Sequence, residues 1–155
     1  MTVTSSTYSH TQSAPLRTFV CGGAICMFIG AVACRIEAQL LSIILAVMTG
    51  VLMTLLAASF HHLTVTDVGD RLGVAFGPVP LFHRSVRYGD IESVEVGRTL
   101  IIESWGIHGS IRGGSVWNLW GRDCVVVRMT KGTLRIGTDD AENLAEFLKR
   151  RIGGR

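Results

Sequence analysis

Two long stretches without a charge constrain this chain more than any other feature. Residues 18–34 (TFVCGGAICMFIGAVAC) and 40–60 (LLSIILAVMTGVLMTLLAASF) contain no Asp, Glu, Lys or Arg. Between Thr18 and Phe60 only Arg35 and Glu37 are charged. As helices the two runs would extend about 25 and about 31 Å at 1.5 Å per residue. The hydrocarbon core of a bilayer is about 30 Å thick. The linker 35–39 has room only for a tight turn. The expectation is a two-helix transmembrane hairpin over residues 18–60, with spans at 18–34 and 40–60. The polar, Ser/Thr-rich residues 1–17 before it are expected to be a disordered tail.

Small residues recur every fourth position in both runs. The first carries Gly22, Cys26, Gly30 and Cys34, and the second carries Ala46, Gly50, Thr54 and Ala58. In lipid, helices associate through close backbone approach along such small faces. Gly22, Cys26 and Gly30 against Ala46, Gly50 and Thr54 therefore form a candidate helix–helix seam. A secretory signal peptide, with Arg17 as its charged end and Ala31-Val32-Ala33 as its cleavage site, is the rival reading of the first run. In both cases the following domain is expected on the cytoplasmic face of a cell (inner) membrane. Scarce cysteine, with no CxxC pair, fits that compartment.

From His61 to Arg155 the composition changes to 13 Lys/Arg and 11 Asp/Glu, and the hydrophobic period changes to two. Leu63 and Val65, then Leu72, Val74 and Phe76, alternate with polar or small residues across the turn Val68-Gly69-Asp70. Further strand-like runs follow at Val86–Tyr88, Val94–Val96, Leu100–Ile102, Trp117–Trp120, Cys124–Met129 and Leu134–Ile136. The period then becomes 3.6: Ala141, Leu144, Ala145, Leu148 and Ile152 share one helical face. Thr138 or Asp139 suits the N-cap, and Asp139 with Glu142 has capping-box spacing. Residues 61–155 are thus expected to form a small antiparallel β-barrel or sandwich of about seven strands, capped by a C-terminal helix.

Three segments resemble bacterial pleckstrin-homology-like membrane proteins. They are Val86-Arg87-Tyr88-Gly89-Asp90-Ile91-Glu92-Ser93-Val94, the hairpin from Val125 through Lys131-Gly132 to Thr138, and the helix Asp139–Leu148. The resemblance implies an α+β membrane protein whose PH-like domain follows the hairpin. It implies no active site.

No residue pattern calls for catalysis, a cofactor or a metal. His61 and His62 are adjacent and cannot both face one ion from a strand. The glycines of 109–115 lack the lysine and the strand–loop–helix setting of a phosphate loop. Inositol phosphates would meet two carboxylates, Asp67 and Asp70, at the first hairpin turn. The net charge of +3 is scattered, which argues against nucleic acid. The candidate interaction surface is Trp105, Arg112, Trp117 and Trp120. The resulting functional expectation is a membrane-anchored, non-catalytic interaction or assembly module. It would contact membrane lipids through the hairpin, and a protein partner or a second copy through the domain. A lipid-binding sensor using Trp105, Arg112 and the basic end Lys149-Arg150-Arg151 is the alternative.

Overall fold

The computed structural model describes residues 7–13 and 40–154. Nine strands form two sheets. In the first sheet β1 (Ser9–Ser13), β2 (His62–Asp67), β3 (Arg71–Gly77) and β4 (His83–Arg87) lie in that order, all antiparallel. The second sheet comprises β5 (Ile91–Arg98), β6 (Gly106–Gly109), β7 (Ser115–Asn118), β8 (Asp123–Met129) and β9 (Gly132–Gly137). Its order is β5-β8-β9-β7-β6. Two helices complete the described fold, α1 (Leu40–Ser59) and α2 (Ala141–Gly153).

The core is where the two alternating patterns meet. Leu63, Val65, Leu72, Val74, Phe76 and Val86 come from the first sheet. Val94, Trp117, Val125, Val127, Leu134 and Ile136 come from the second. Helix α2 lies on β5, β8 and the turn at Tyr88–Asp90. Leu144, Ala145, Phe147 and Leu148 are buried, with Ile152 packed at the margin. That is the apolar stripe of the sequence with Phe147 added.

Several expectations are corrected. Among the described residues the fold is mostly β-sheet with two helices, and the expected α+β architecture led by a two-helix transmembrane hairpin is not seen. Among the described residues no helix is long and apolar enough to cross a membrane. Helix α1 is uncharged, but its final turn belongs to the β domain. Ser59 is buried, and Phe60 sets its ring 5.0 Å from Phe76 and 5.3 Å from Phe82. The expected transmembrane hairpin is thus not seen among the described residues. The first expected span, with Gly22, Cys26 and Gly30, lies outside the described residues.

The second sheet is not wholly antiparallel, because β7 and β9 run parallel. The β6–β7 hairpin is inserted between β5 and β8. Strand β8 returns to pair with β5 and β9 folds back on β8, so β7 adds to the remaining edge of β9. Close approach here depends on glycine. A Cβ at Gly137 would overlap the side chain of Asn118, and one at Gly114 (φ +85°) would overlap the backbone of Thr133.

Residues 9–13, expected as solvated tail, form β1. Their large side chains alternate inward: Gln12 is buried, while His10 and Tyr8 are half-buried. The Tyr8 hydroxyl donates to Asp140 Oδ2 at 2.9 Å, and its ring stacks on Phe147 at 5.3 Å. Asp139 is not the helix cap. It faces His10, with 2.6 Å between Nε2 and Oδ1, and Asp140 occupies the N-cap position.

Candidate functional site

The segment between β5 and β6 holds an unusual arrangement: bulky apolar side chains in water around a buried carboxylate. Residues Ile101–Glu103 form a single 3-10 turn where alternation predicts a strand. Glu103 turns inward and is buried. It accepts hydrogen bonds from Ser110 Oγ at 2.7 Å, Ile111 N–H at 2.9 Å and Leu100 N–H at 3.5 Å. Burial alone would raise its pKa. The three donors, helped by the charge of Arg135, outweigh that and hold the carboxyl below the usual range. Arg135 is itself buried and donates to the Gly113 carbonyl at 2.6 Å. The β6–β7 turn is thereby tied to the 3-10 turn from within.

This internal anchoring leaves the outer side chains no room in the core. Ile101, Ile102 and Ile111 are 77%, 71% and 76% exposed, and Trp105 is 61% exposed. The neighbouring turn carries Trp120, 46% exposed. It is held there by Thr99 N–H donating to the Arg122 carbonyl at 2.7 Å and by Gln12 Nε2 donating to the Trp120 carbonyl at 3.0 Å. The structure thus divides the tryptophans. Trp105 and Trp120 reach solvent. Trp117 is 9% exposed, its ring 5.8 Å from Phe76, and it fills the core between the sheets. It is removed from the candidate surface, whereas exposed Arg112 stays on it. Sequence reading missed Ile101, Ile102 and Ile111. The available signal was Glu103, a lone carboxylate inside an apolar strand-like run.

The basic C-terminal end also divides. Arg151 donates through Nη2 to Asp67 Oδ2 and lies over the rings of Tyr88 and Phe147, at 5.7 and 5.4 Å. Asp67 also accepts from the Tyr88 hydroxyl at 2.7 Å and from Gly69 N–H at 3.1 Å. Burial, then the bond to Asp67, push the Tyr88 phenol well above its ordinary value. The first hairpin turn is therefore a structural knot, and Arg151 is committed to it. Arg150 is exposed and only 3.9 Å from Glu146.

In the seam, an added Cβ at Gly50 would meet nothing within 4 Å among the described residues. Thr54 Oγ1 returns to the Gly50 carbonyl at 2.8 Å. Exposed Ile44, Val47, Met48, Val51, Leu52 and Leu55 line α1. The glycines of 109–115 close the β6–β7 hairpin, where Gly109 pairs with Ser115. Among the described residues no His, Cys, Asp and Glu group as metal ligands. Cys124 is fully buried, and burial pushes its thiol up to about 11. No protein-family model and no curated protein matches the chain.

Proposed function

We propose that this chain is a non-catalytic interaction module that docks a protein partner through Ile101, Ile102, Trp105 and Ile111, with Trp120 beside them. One observation carries the reading: a buried, three-fold hydrogen-bonded carboxylate fixes this segment with its apolar side chains outward. Isolated exposed apolar residues are ordinary, but a contiguous and rigidly held group marks a contact surface. Rigid aromatic and aliphatic side chains lose little entropy on docking, and they are the usual anchors of protein interfaces.

Three buried ionisable groups are consistent with a non-catalytic role. Asp67 and Glu103 are both consumed in holding turns, and the Cys124 thiol is protonated and enclosed. The lipid-sensor alternative loses one of its three C-terminal cations, because Arg151 is bound to Asp67.

The test is co-purification of the full chain against the Ile102→Asp/Trp105→Ala variant. Both positions are exposed, so the thermal midpoint is expected to stay unchanged. Partner recovery is expected to fall by about tenfold or more, the effect of removing an interface anchor. Recovery insensitive to salt supports an apolar protein contact. Recovery that collapses at high ionic strength favours the lipid reading.

A further inference from the structure

A second feature shares no residue with the Trp105 surface. Strand β4 is the outer strand of the first sheet, so one of its edges pairs with no strand among the described residues. Between that edge and the β8–β9 turn lies a cleft of about 540 Å³. Its walls bring together Arg71, Arg84, Arg87 and Lys131 against one carboxylate, Asp90. Ser85 and Thr130 add hydroxyls.

The four cations are not equally committed. Arg71 gives Nε and Nη2 to Asp70, at 2.9 and 3.2 Å, leaving Nη1. Arg84 is half-buried and uses Nη1 on Ser115 Oγ at 2.7 Å, which restrains its guanidinium and leaves Nε and Nη2. Arg87 and Lys131 are exposed and make no hydrogen bond or ion pair among the described residues. Asp70 offsets Arg71 and Asp90 offsets one further charge, so the cleft keeps a net positive charge that a bound anion would neutralise.

We propose that this cleft binds a phosphate-bearing ligand. Guanidinium groups present paired donors that match phosphate oxygens, lysine adds a point charge, and hydroxyls complete the donor set. The volume lies within the about 300–1,000 Å³ of small-ligand sites. Arg84 is the pre-positioned member, and Arg87 and Lys131 close on the ligand from opposite walls. In the β2–β3 turn Asp70 holds Arg71 at the cleft wall, whereas Asp67 is turned away to Tyr88 and Arg151. The phosphate could belong to a soluble molecule or to a lipid headgroup, and both present the same chemistry to these residues.

The experiment is calorimetric titration of the full chain with inorganic pyrophosphate at low salt. Arg87→Gln/Lys131→Gln changes only exposed side chains, and an unchanged thermal midpoint verifies its fold. It is expected to weaken pyrophosphate binding by about tenfold or more, the loss of charge-assisted hydrogen bonds. Arg98→Gln/Arg150→Gln removes the same charge elsewhere and is expected to leave binding unchanged. Displacement of pyrophosphate by phosphatidylglycerol vesicles, but not by phosphatidylcholine vesicles, assigns the site to a lipid headgroup. No displacement by either assigns it to a soluble phosphate. Absent pyrophosphate binding, or equal weakening in the two double variants, overturns the site.

Discussion

The two helices are attached in opposite ways. Helix α2 is amphipathic and lies along the β domain with its whole apolar stripe buried, from Ala141 through Leu148. Helix α1 is uncharged, and among the described residues its junction with the domain is buried Ser59 and the following Phe60, whose ring packs on Phe76 and Phe82. A helix is fixed to a core by the contrast between its faces, not by its mean hydropathy. α2 has one docking solution. α1 has no polar face to exclude alternatives, so the described domain holds only its end.

The largest expected effect falls on the docked helix. Leu148→Ala removes a fully buried side chain, at a cost of about 2–5 kcal/mol. Denaturant unfolding of the full chain, followed by fluorescence of core Trp117, should show a clearly lowered midpoint. An unchanged midpoint would mean that α2 is not a core element and would erase the contrast with α1.

Arg151→Ala sharpens the picture within one turn of helix. It strips Asp67 of its cation and uncovers the Tyr88 and Phe147 rings. A charge-assisted hydrogen bond to a buried partner contributes about 1.5–3 kcal/mol. Arg150→Ala next to it removes an exposed pair worth about 0–1 kcal/mol. Equal losses at 150 and 151 would show that the Asp67 knot does not hold the helix end.

Glu103→Gln keeps the shape of the side chain but puts an amide among the donors Ser110 and Ile111, at a cost of about 1–3 kcal/mol. The folded-state pKa of Glu103 is depressed. Its stabilisation is therefore present above the ordinary carboxylate pKa and lost as pH falls through the depressed value. Acid unfolding of Glu103→Gln should lack that part of the loss. Amide exchange at Ile111 is the local readout, and exchange as slow as in the unmodified chain would show that Glu103 does not tie the turn.

Gly50→Leu should have the smallest effect. No described atom lies within 4 Å of a Cβ added there, so the unfolding midpoint should move by less than about 0.5 kcal/mol. A loss of about 1–2 kcal/mol would reveal a helix packed on Gly50, as the small-residue seam expects.

What the sequence made legible followed from contrast between faces. Strands β2 and β3, the β8–β9 hairpin and α2 all alternate apolar with polar residues at a clean period. Strand β1 escaped because Tyr8, His10 and Gln12 point inward among serines and threonines, so a polar composition concealed a period of two. The parallel β7–β9 pair is a matter of which edge remains free, which no local pattern records. Trp117 and Trp120 are three residues apart, yet one fills the core and the other reaches water, because β7 ends at Asn118. Apolar Leu100–Ile102 has the composition of a strand, but Glu103 turns inward and folds the run back. The basic cleft joins β4 to a turn more than forty residues later, and only the tertiary fold brings those charges together.

The central claim is that the fixed apolar segment meets a protein. Photo-crosslinking in cells tests it most directly, with a benzophenone side chain at Trp105 and, as a control, at exposed Glu142 on the outer face of α2. Trp105 is exposed and its side chain makes no hydrogen bond among the described residues, so the substitution should leave the fold intact. The expected result is a discrete protein adduct from position 105 that is absent from position 142 and is lost when Ile102→Asp is added. No adduct from position 105, or the same adduct from both positions, would contradict the account.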